Sequence, residues 1–182
     1  MKSNHITLIL GGARSGKSSH AQSLAQASGK SVTYLATAEA LDDEMSQRIR
    51  KHRADRPLQW ETLEISHNIA PRVSHIQTEV VILDCVTLLI TNLMMQYVKD
   101  DLVDEEPFLT AVHKEIEELI VQLHERKQDW IIVSNEVGLG LVPAYQMGRV
   151  YRDAIGWANQ RLAREADTVL FMAAGLAMVI KA

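Results

Sequence analysis

Short runs of apolar, largely β-branched residues recur along the chain at 5–10, 31–36, 80–84, 130–134 and 168–173, with 176–181 as a further candidate strand. Val80-Val81-Ile82-Leu83 and Trp130-Ile131-Ile132-Val133 contain no polar alternation, which is how strands covered on both faces read. The segments between the runs are long enough for helices. This order predicts an α/β fold of three layers around a mainly parallel sheet, with ligands at the carboxyl ends of the strands.

Residues 18–27 read as a helix stopped by Gly29. Over 108–127, Leu109, Val112, Ile116, Leu119, Ile120 and Leu123 form one stripe, with Glu115, Glu117 and Glu118 largely off it, so an amphipathic surface helix is expected. The segment 86–98 is apolar nearly all round, which fits deep burial or a subunit contact equally. Lys99 to Pro107 is acidic and reads as a solvated loop, with Pro107 near the start of the next helix. The stretches 66–79 and 99–110 match no motif. Without repeats, low-complexity tracts or linkers, 1–182 is expected to be one domain.

A composition of 47% hydrophobic and 23% charged residues is that of an ordinary globular chain. The formal net charge of −4 gives no global attraction to nucleic acid or anionic lipid. Cys85 is the one cysteine, so no internal disulfide forms, and no window approaches the roughly 18 apolar residues of a membrane span. A cytoplasmic protein without stable membrane insertion and without a nucleic-acid partner is the expectation.

Gly11-Gly12-Ala13-Arg14-Ser15-Gly16-Lys17-Ser18 fits G-x-x-x-x-G-K-[ST] and follows the apolar run Ile6 to Leu10. Between a strand and a helix, this is a phosphate cradle of the P-loop type. Backbone N–H groups turn inward around a polyphosphate, Lys17 reaches its outer phosphates, and the Ser18 hydroxyl is a ligand for Mg²⁺. Val80 to Asp84 has the form of a Walker B strand, so Asp84 is the second candidate Mg²⁺ ligand; the bland alternative is a cap on the following helix.

The segment Arg48-Ile49-Arg50-Lys51-His52-Arg53-Ala54-Asp55-Arg56-Pro57 concentrates cations after a helix start at Asp42-Asp43-Glu44. Such a run is usually a solvated face. Its chemical interest is His52: neighbouring arginines favour the neutral, nucleophilic imidazole, whereas a helix C-terminus favours the imidazolium, and the sequence leaves both open. Asn135-Glu136-Val137-Gly138-Leu139-Gly140 follows the 130–134 strand at the ligand edge, and Arg149, Arg152, Gly156 and Asn159 share a helical face beside it.

GGARSGKS, Ala36-Thr37-Ala38 with Leu41 to Met45, the Arg48-to-Pro57 cluster, Trp60 to Glu64, Asp84-Cys85-Val86-Thr87, and NEVGLGLVP with RVYRD together resemble the bifunctional adenosylcobinamide kinase and adenosylcobinamide-phosphate guanylyltransferase family of cobalamin synthesis. The resemblance runs in order from about Leu8 to Lys181. It implies a P-loop enzyme that phosphorylates adenosylcobinamide and then transfers GMP from GTP to adenosylcobinamide phosphate through a guanylyl-histidine, with ATP and GTP as substrates. The matching histidine is His52. The nucleotide site it implies comprises Gly11 to Ser18, Ala36, Thr37, Ala38, Ala54, Asp55, Arg56, Pro57, Glu64 and Asp84, with Lys17 catalytic. It also implies a homo-oligomer, often a trimer.

A monofunctional P-loop kinase of another small alcohol is the alternative, with the His52 region as a phosphate lid. A regulatory GTP switch needs D-x-x-G and N-K-x-D, which Asp84 to Thr87 and Asn135 to Gly138 do not supply. A recombinase-like ATPase on nucleic acid is disfavoured by the acidic balance and the lack of a basic aromatic groove. Were His52 not the nucleophile, His20, His5 and His67 would be the next histidines to test.

Overall fold

In the computed structural model, residues 4–39, 46–47, 50, 53–54 and 56–182 are described. His52, Asp55 and the expected helix start at Asp42 to Glu44 lie outside them. The chain begins with strand β1 (Ile6–Gly11), helix α1 (Lys17–Ala27), β2 (Val32–Ala36), β3 (Glu61–Glu64), the short α2 (Ile69–Val73) and β4 (Val80–Asp84). It continues with α3 (Val86–Met95), β5 (Val98–Lys99), β6 (Leu102–Val103), α4 (Glu105–Glu125), β7 (Asp129–Val133), α5 (Gln146–Glu165), β8 (Thr168–Ala173) and β9 (Leu176–Lys181).

Seven strands form one sheet in the order β3-β2-β4-β7-β1-β8-β9. All its pairings are parallel except β8 with β9, which are joined by Ala174 and Gly175, both at positive φ, as a tight hairpin turn demands. Side chains alternate between faces. Ile6, Leu8, Leu35, Val81, Leu83 and Ile132 meet α2 to α5 on one side, while Ile9, Tyr34, Ile82 and Leu170 meet Ala21 and Ala25 of α1 on the other. The uninterrupted apolar runs therefore correspond to covered parallel strands, giving the expected three-layer α/β arrangement. Among the described residues no helix is long and apolar enough to cross a membrane.

Several local expectations are corrected or sharpened. The polar Glu61-Thr62-Leu63-Glu64 is an edge strand; one neighbour, β2, and partial exposure suffice to hold it without an apolar run. The expected acidic loop contains the β5–β6 hairpin, turning through Asp100 and Asp101 at positive φ, with Val103 buried beneath it. Helix α4 starts at Glu105, so Pro107 sits inside its first turn, where a missing N–H costs nothing. Glu115 is not solvated: its two carboxylate oxygens accept the Ile69 and Asn68 N–H groups at 2.7 and 2.9 Å, satisfying the start of α2. For the segment after β4, burial rather than exposure prevails, with Val86, Leu89, Ile90, Leu93 and Met94 in the core and Met95 exposed.

Candidate active site

The turn from β1 into α1 is built on backbone conformations that side chains resist. Gly11 has φ 147°, and a Cβ there would overlap the Met172 carbonyl and lie 2.8 Å from Ser15 Oγ. Gly16 has φ 96° and its added Cβ would stand 3.2 Å from Gly175 Cα, so the β8–β9 turn packs against the cradle. Gly175 N–H donates to Ser15 O at 3.0 Å, fixing that contact. Lys17 Nζ lies 2.6 Å from Gly12 O and 3.5 Å from Ser15 Oγ, folded back over the loop. Helix α1 has neither a side-chain cap nor an acidic residue in its first turn. A helix N-terminus of this kind favours an anion, and Gly12, Ala13 and Arg14 are exposed around it.

Parallel register aligns the other strand ends beside this cradle. Glu64 pairs with Ala36, Ala36 with Asp84, and Asp84 with Val133, while β7 lies between β4 and β1. Asp84 is half-buried at the tip of β4. Tyr34, two residues before the end of β2, leans along the sheet and donates its hydroxyl to Asp84 Oδ2. Such a diagonal neighbour on the adjacent strand is within reach of an aromatic side chain. The Arg56 guanidinium carbon lies 3.6 Å from the centroid of the same ring, in cation–π geometry. Sequence reasoning missed Tyr34; its signal was its two-residue offset from Ala36, which faces Asp84.

Burial first, and then the negative charge of Asp84, raise the Tyr34 phenol well above its ordinary value, so it remains a donor to that carboxylate. Burial, again assisted by Asp84, pushes the Cys85 thiol up to about 11, which keeps it un-ionised and a poor nucleophile at neutral pH.

Thr37 is fully buried. Its Oγ1 donates to Cys85 O at 2.7 Å and accepts from Cys85 N at 2.8 Å, its N–H donates to Asp84 O at 3.1 Å, and its carbonyl accepts from Asn92 Nδ2 at 2.8 Å. The residue clamps the end of β2 to the β4–α3 junction that carries Asp84. Ala38 is half-buried one residue beyond it.

Of the basic segment, Ser46, Gln47, Arg50, Arg53 and Ala54 are helical. Arg53 Nη1 lies 3.6 Å from Glu64 Oε1, both well exposed, and Arg56 N–H donates to Arg53 O at 3.3 Å. Pro57 O accepts from Trp60 N at 3.1 Å. Arg53 and Arg56 thus tie this segment to the ends of β3 and β2, at the same sheet edge as the cradle. His5 lies at the opposite, amino end of β1, with Nε2 3.0 Å from Thr168 Oγ1. His20 is in the first turns of α1, and His67 is exposed beyond β3 beside Ser66.

The shared polar face of α5 braces the neighbouring loop. Arg149 Nη1 donates to Pro143 O and Ala144 O at 3.1 and 2.7 Å, and Asn159 Nδ2 to Asn135 O at 3.0 Å. The loop's base is tied to the cradle, since Glu136 N–H donates to Gly11 O at 3.0 Å.

Among the described residues no group of three or more His, Cys, Asp or Glu side chains could hold a metal ion. The sequence-expected donors at this edge are one carboxylate, Asp84, and one hydroxyl, Ser18. That set suits a hard cation completed by phosphate oxygens and water, as Mg²⁺ is, and not a transition metal held by protein alone.

A family model described as cobinamide kinase / cobinamide phosphate guanyltransferase matches residues 7–180. The bifunctional adenosylcobalamin biosynthesis protein CobU of Escherichia coli (strain K12) is 40% identical over 187 aligned residues, covering 97% of this chain and 99% of that protein. The corresponding protein CobP of Pseudomonas aeruginosa (strain PAO1) is 43% identical over 176, covering 96% of each. CobU of Salmonella typhimurium (strain LT2) is 36% identical, covering 97% of this chain and 99% of that protein. A crystal structure of the RadB recombinase superposes with a TM-score of 0.50 at 12% identity, over 92% of this chain and 73% of that one, a likeness of fold alone. With a glycine cradle, an Asp-tipped strand one removed from it and a family match over nearly the whole length, the chain belongs to the bifunctional cobinamide kinase / cobinamide phosphate guanyltransferase family.

Proposed function

We propose that this chain, acting as a single domain in the cytoplasm, phosphorylates the aminopropanol hydroxyl of adenosylcobinamide with ATP or GTP. It then transfers GMP from GTP to the resulting phosphate, giving adenosylcobinamide-GDP and pyrophosphate. The observation that carries this reading is the juxtaposition, along one sheet edge, of an uncapped helix N-terminus, the Asp84 carboxylate and the arginines at 53 and 56. One triphosphate site then serves two reactions that differ in which phosphorus is attacked and by which nucleophile.

In the first reaction the substrate hydroxyl attacks the γ-phosphorus and gives up its proton, the bond to the β-phosphate oxygen breaks, and the nucleoside diphosphate leaves. In the second, His52 attacks the α-phosphorus, a nitrogen–phosphorus bond forms, and pyrophosphate leaves; the cobinamide phosphate oxygen then takes GMP and frees the imidazole. The N–H groups of Gly12 to Ser18 and the Lys17 ammonium bind the phosphates and stabilise the charge that develops. Ser18 and Asp84 would hold Mg²⁺, which supplies charge neutralisation and orientation to the triphosphate. Ala36, Thr37, Ala38, Ala54, Asp55, Arg56, Pro57 and Glu64 complete the nucleotide site, Thr37 by shaping its floor.

A homo-oligomer, as a trimer, accords with a further feature. Strand β9 forms the sheet edge with Leu176, Met178, Val179 and Ile180 all exposed, more apolar surface than an edge strand carries without a partner.

The test is incubation with α-labelled GTP and Mg²⁺. Acid-labile, base-stable label on the wild-type chain, absent from His52→Ala, is the expected result, and Lys17→Ala should impair both reactions. Persistent adduct in His52→Ala would move the nucleophile elsewhere, with His20 first because it alone of the three remaining candidates lies on α1.

A further inference from the structure

We infer that Tyr34 is a positioning residue that registers the basic, His52-bearing segment on the metal-binding carboxylate, through two separable parts of one side chain. The inference rests on the proposed roles of Asp84 and His52. Tyr34 is only 1% exposed and rooted in a strand flanked on both sides, so its ring is a fixed surface. Its hydroxyl holds Asp84 Oδ2. That contact orients the carboxylate and occupies one of its two oxygens, which leaves the other for a cation. The ring face meanwhile seats Arg56, whose Cζ stands 3.6 Å from the centroid. Arg56 Nε is buried with no hydrogen-bond partner among the described residues, so the ring face is the seat given to this guanidinium.

The arrangement has a chemical consequence. A cation that must come close to a triphosphate is held by a neutral π surface, which keeps its full charge available; pairing it with Asp84 would neutralise both groups the reaction needs. Arg56 lies four residues after His52, so seating Arg56 limits where that imidazole can be.

The hydroxyl and the ring are tested apart. Tyr34→Phe keeps the seat and loses the bond to Asp84. It should raise the Mg²⁺ concentration for half-maximal adduct formation about 10-fold, as losses behind a metal ligand do, with wild-type adduct yield at saturating Mg²⁺. Mn²⁺ titration with GDP, read by electron paramagnetic resonance, should weaken in parallel without any turnover. Tyr34→Leu removes the seat as well and should slow adduct formation about 10-fold even at saturating metal. Arg56→Ala should do the same, and the double variant should be little worse than either single one, since both remove one contact.

An unchanged metal requirement in Tyr34→Phe, or fully additive losses in the Tyr34–Arg56 cycle, would overturn the inference. If Tyr34→Leu does not fold, Tyr34→Phe and its Mn²⁺ titration still decide the hydroxyl half, and Arg56→Ala alone decides the ring half: it should slow adduct formation about 10-fold at saturating metal, and a wild-type rate there would overturn the seat. Failure of the wild-type chain to label at all would instead remove the guanylyl reading beneath it.

Discussion

Replacing Thr37 by valine keeps the shape of a fully buried side chain and deletes its hydroxyl. That hydroxyl is the acceptor for Cys85 N–H at 2.8 Å and a donor to Cys85 O at 2.7 Å. The carbonyl keeps a second donor, Leu89 N at 3.1 Å, so the larger loss is the N–H, left unsatisfied in a residue only 7% exposed. A buried donor without a partner costs about 1–3 kcal/mol and a lost hydrogen bond about 1 kcal/mol, so Thr37→Val should lose about 2–4 kcal/mol. Thr37→Ser keeps both bonds and loses one buried methyl, worth about 1 kcal/mol. In urea, with a slope of about 2 kcal/mol/M, the valine midpoint should fall by roughly 1–2 M and the serine midpoint by roughly 0.5 M. The sign of the difference is the test: were the pocket simply apolar, valine would match or exceed threonine and serine would be worst. That order would refute the clamp.

Glu115→Ala strips two backbone N–H groups at the start of α2 of their charged acceptor and should cost about 3 kcal/mol in urea unfolding, with Glu115→Gln intermediate; a loss below about 1 kcal/mol would mean water replaces the carboxylate. Glu165 is held below the usual carboxylate range by its hydrogen bond to Arg161, with His124 assisting. A depressed folded value gives stability that is present above the unfolded pKa of about 4.3 and lost as pH falls through the folded one, so between about pH 5 and 3 the wild-type urea midpoint should fall more steeply than that of Glu165→Gln. Gly16→Ala forces a side chain onto φ 96°, at about 1–2 kcal/mol, and sets its Cβ 3.2 Å from Gly175 Cα. The rise in melting temperature given by Mg²⁺ and GTP should disappear in that variant, and its persistence would show that the cradle tolerates the shift.

What the chain determined by itself is whatever rests on local chemistry or on period. The glycine cradle is legible because residues 11 and 16 need backbone conformations that side chains penalise, and because a phosphate loop must sit between a strand and a helix. The parallel core strands are legible because burial on both faces removes every polar residue from the run, as at 80–83 and 130–133. Edge elements leave no such trace: Glu61 to Glu64 and the Val98–Val103 hairpin are held by pairing with one neighbour, and their residues are free to be polar. Only the tertiary structure decided that Glu115 is a buried acceptor rather than a solvated acid, since the donors it satisfies come from Asn68 and Ile69, 47 and 46 residues away. The same holds for Tyr34, which sits 50 residues from Asp84 in sequence and beside it only because β2 and β4 pair in that register. Period and glycine strain act within a few residues and so are written in the chain, whereas hydrogen bonds across strands depend on register, which exists only once the sheet has formed.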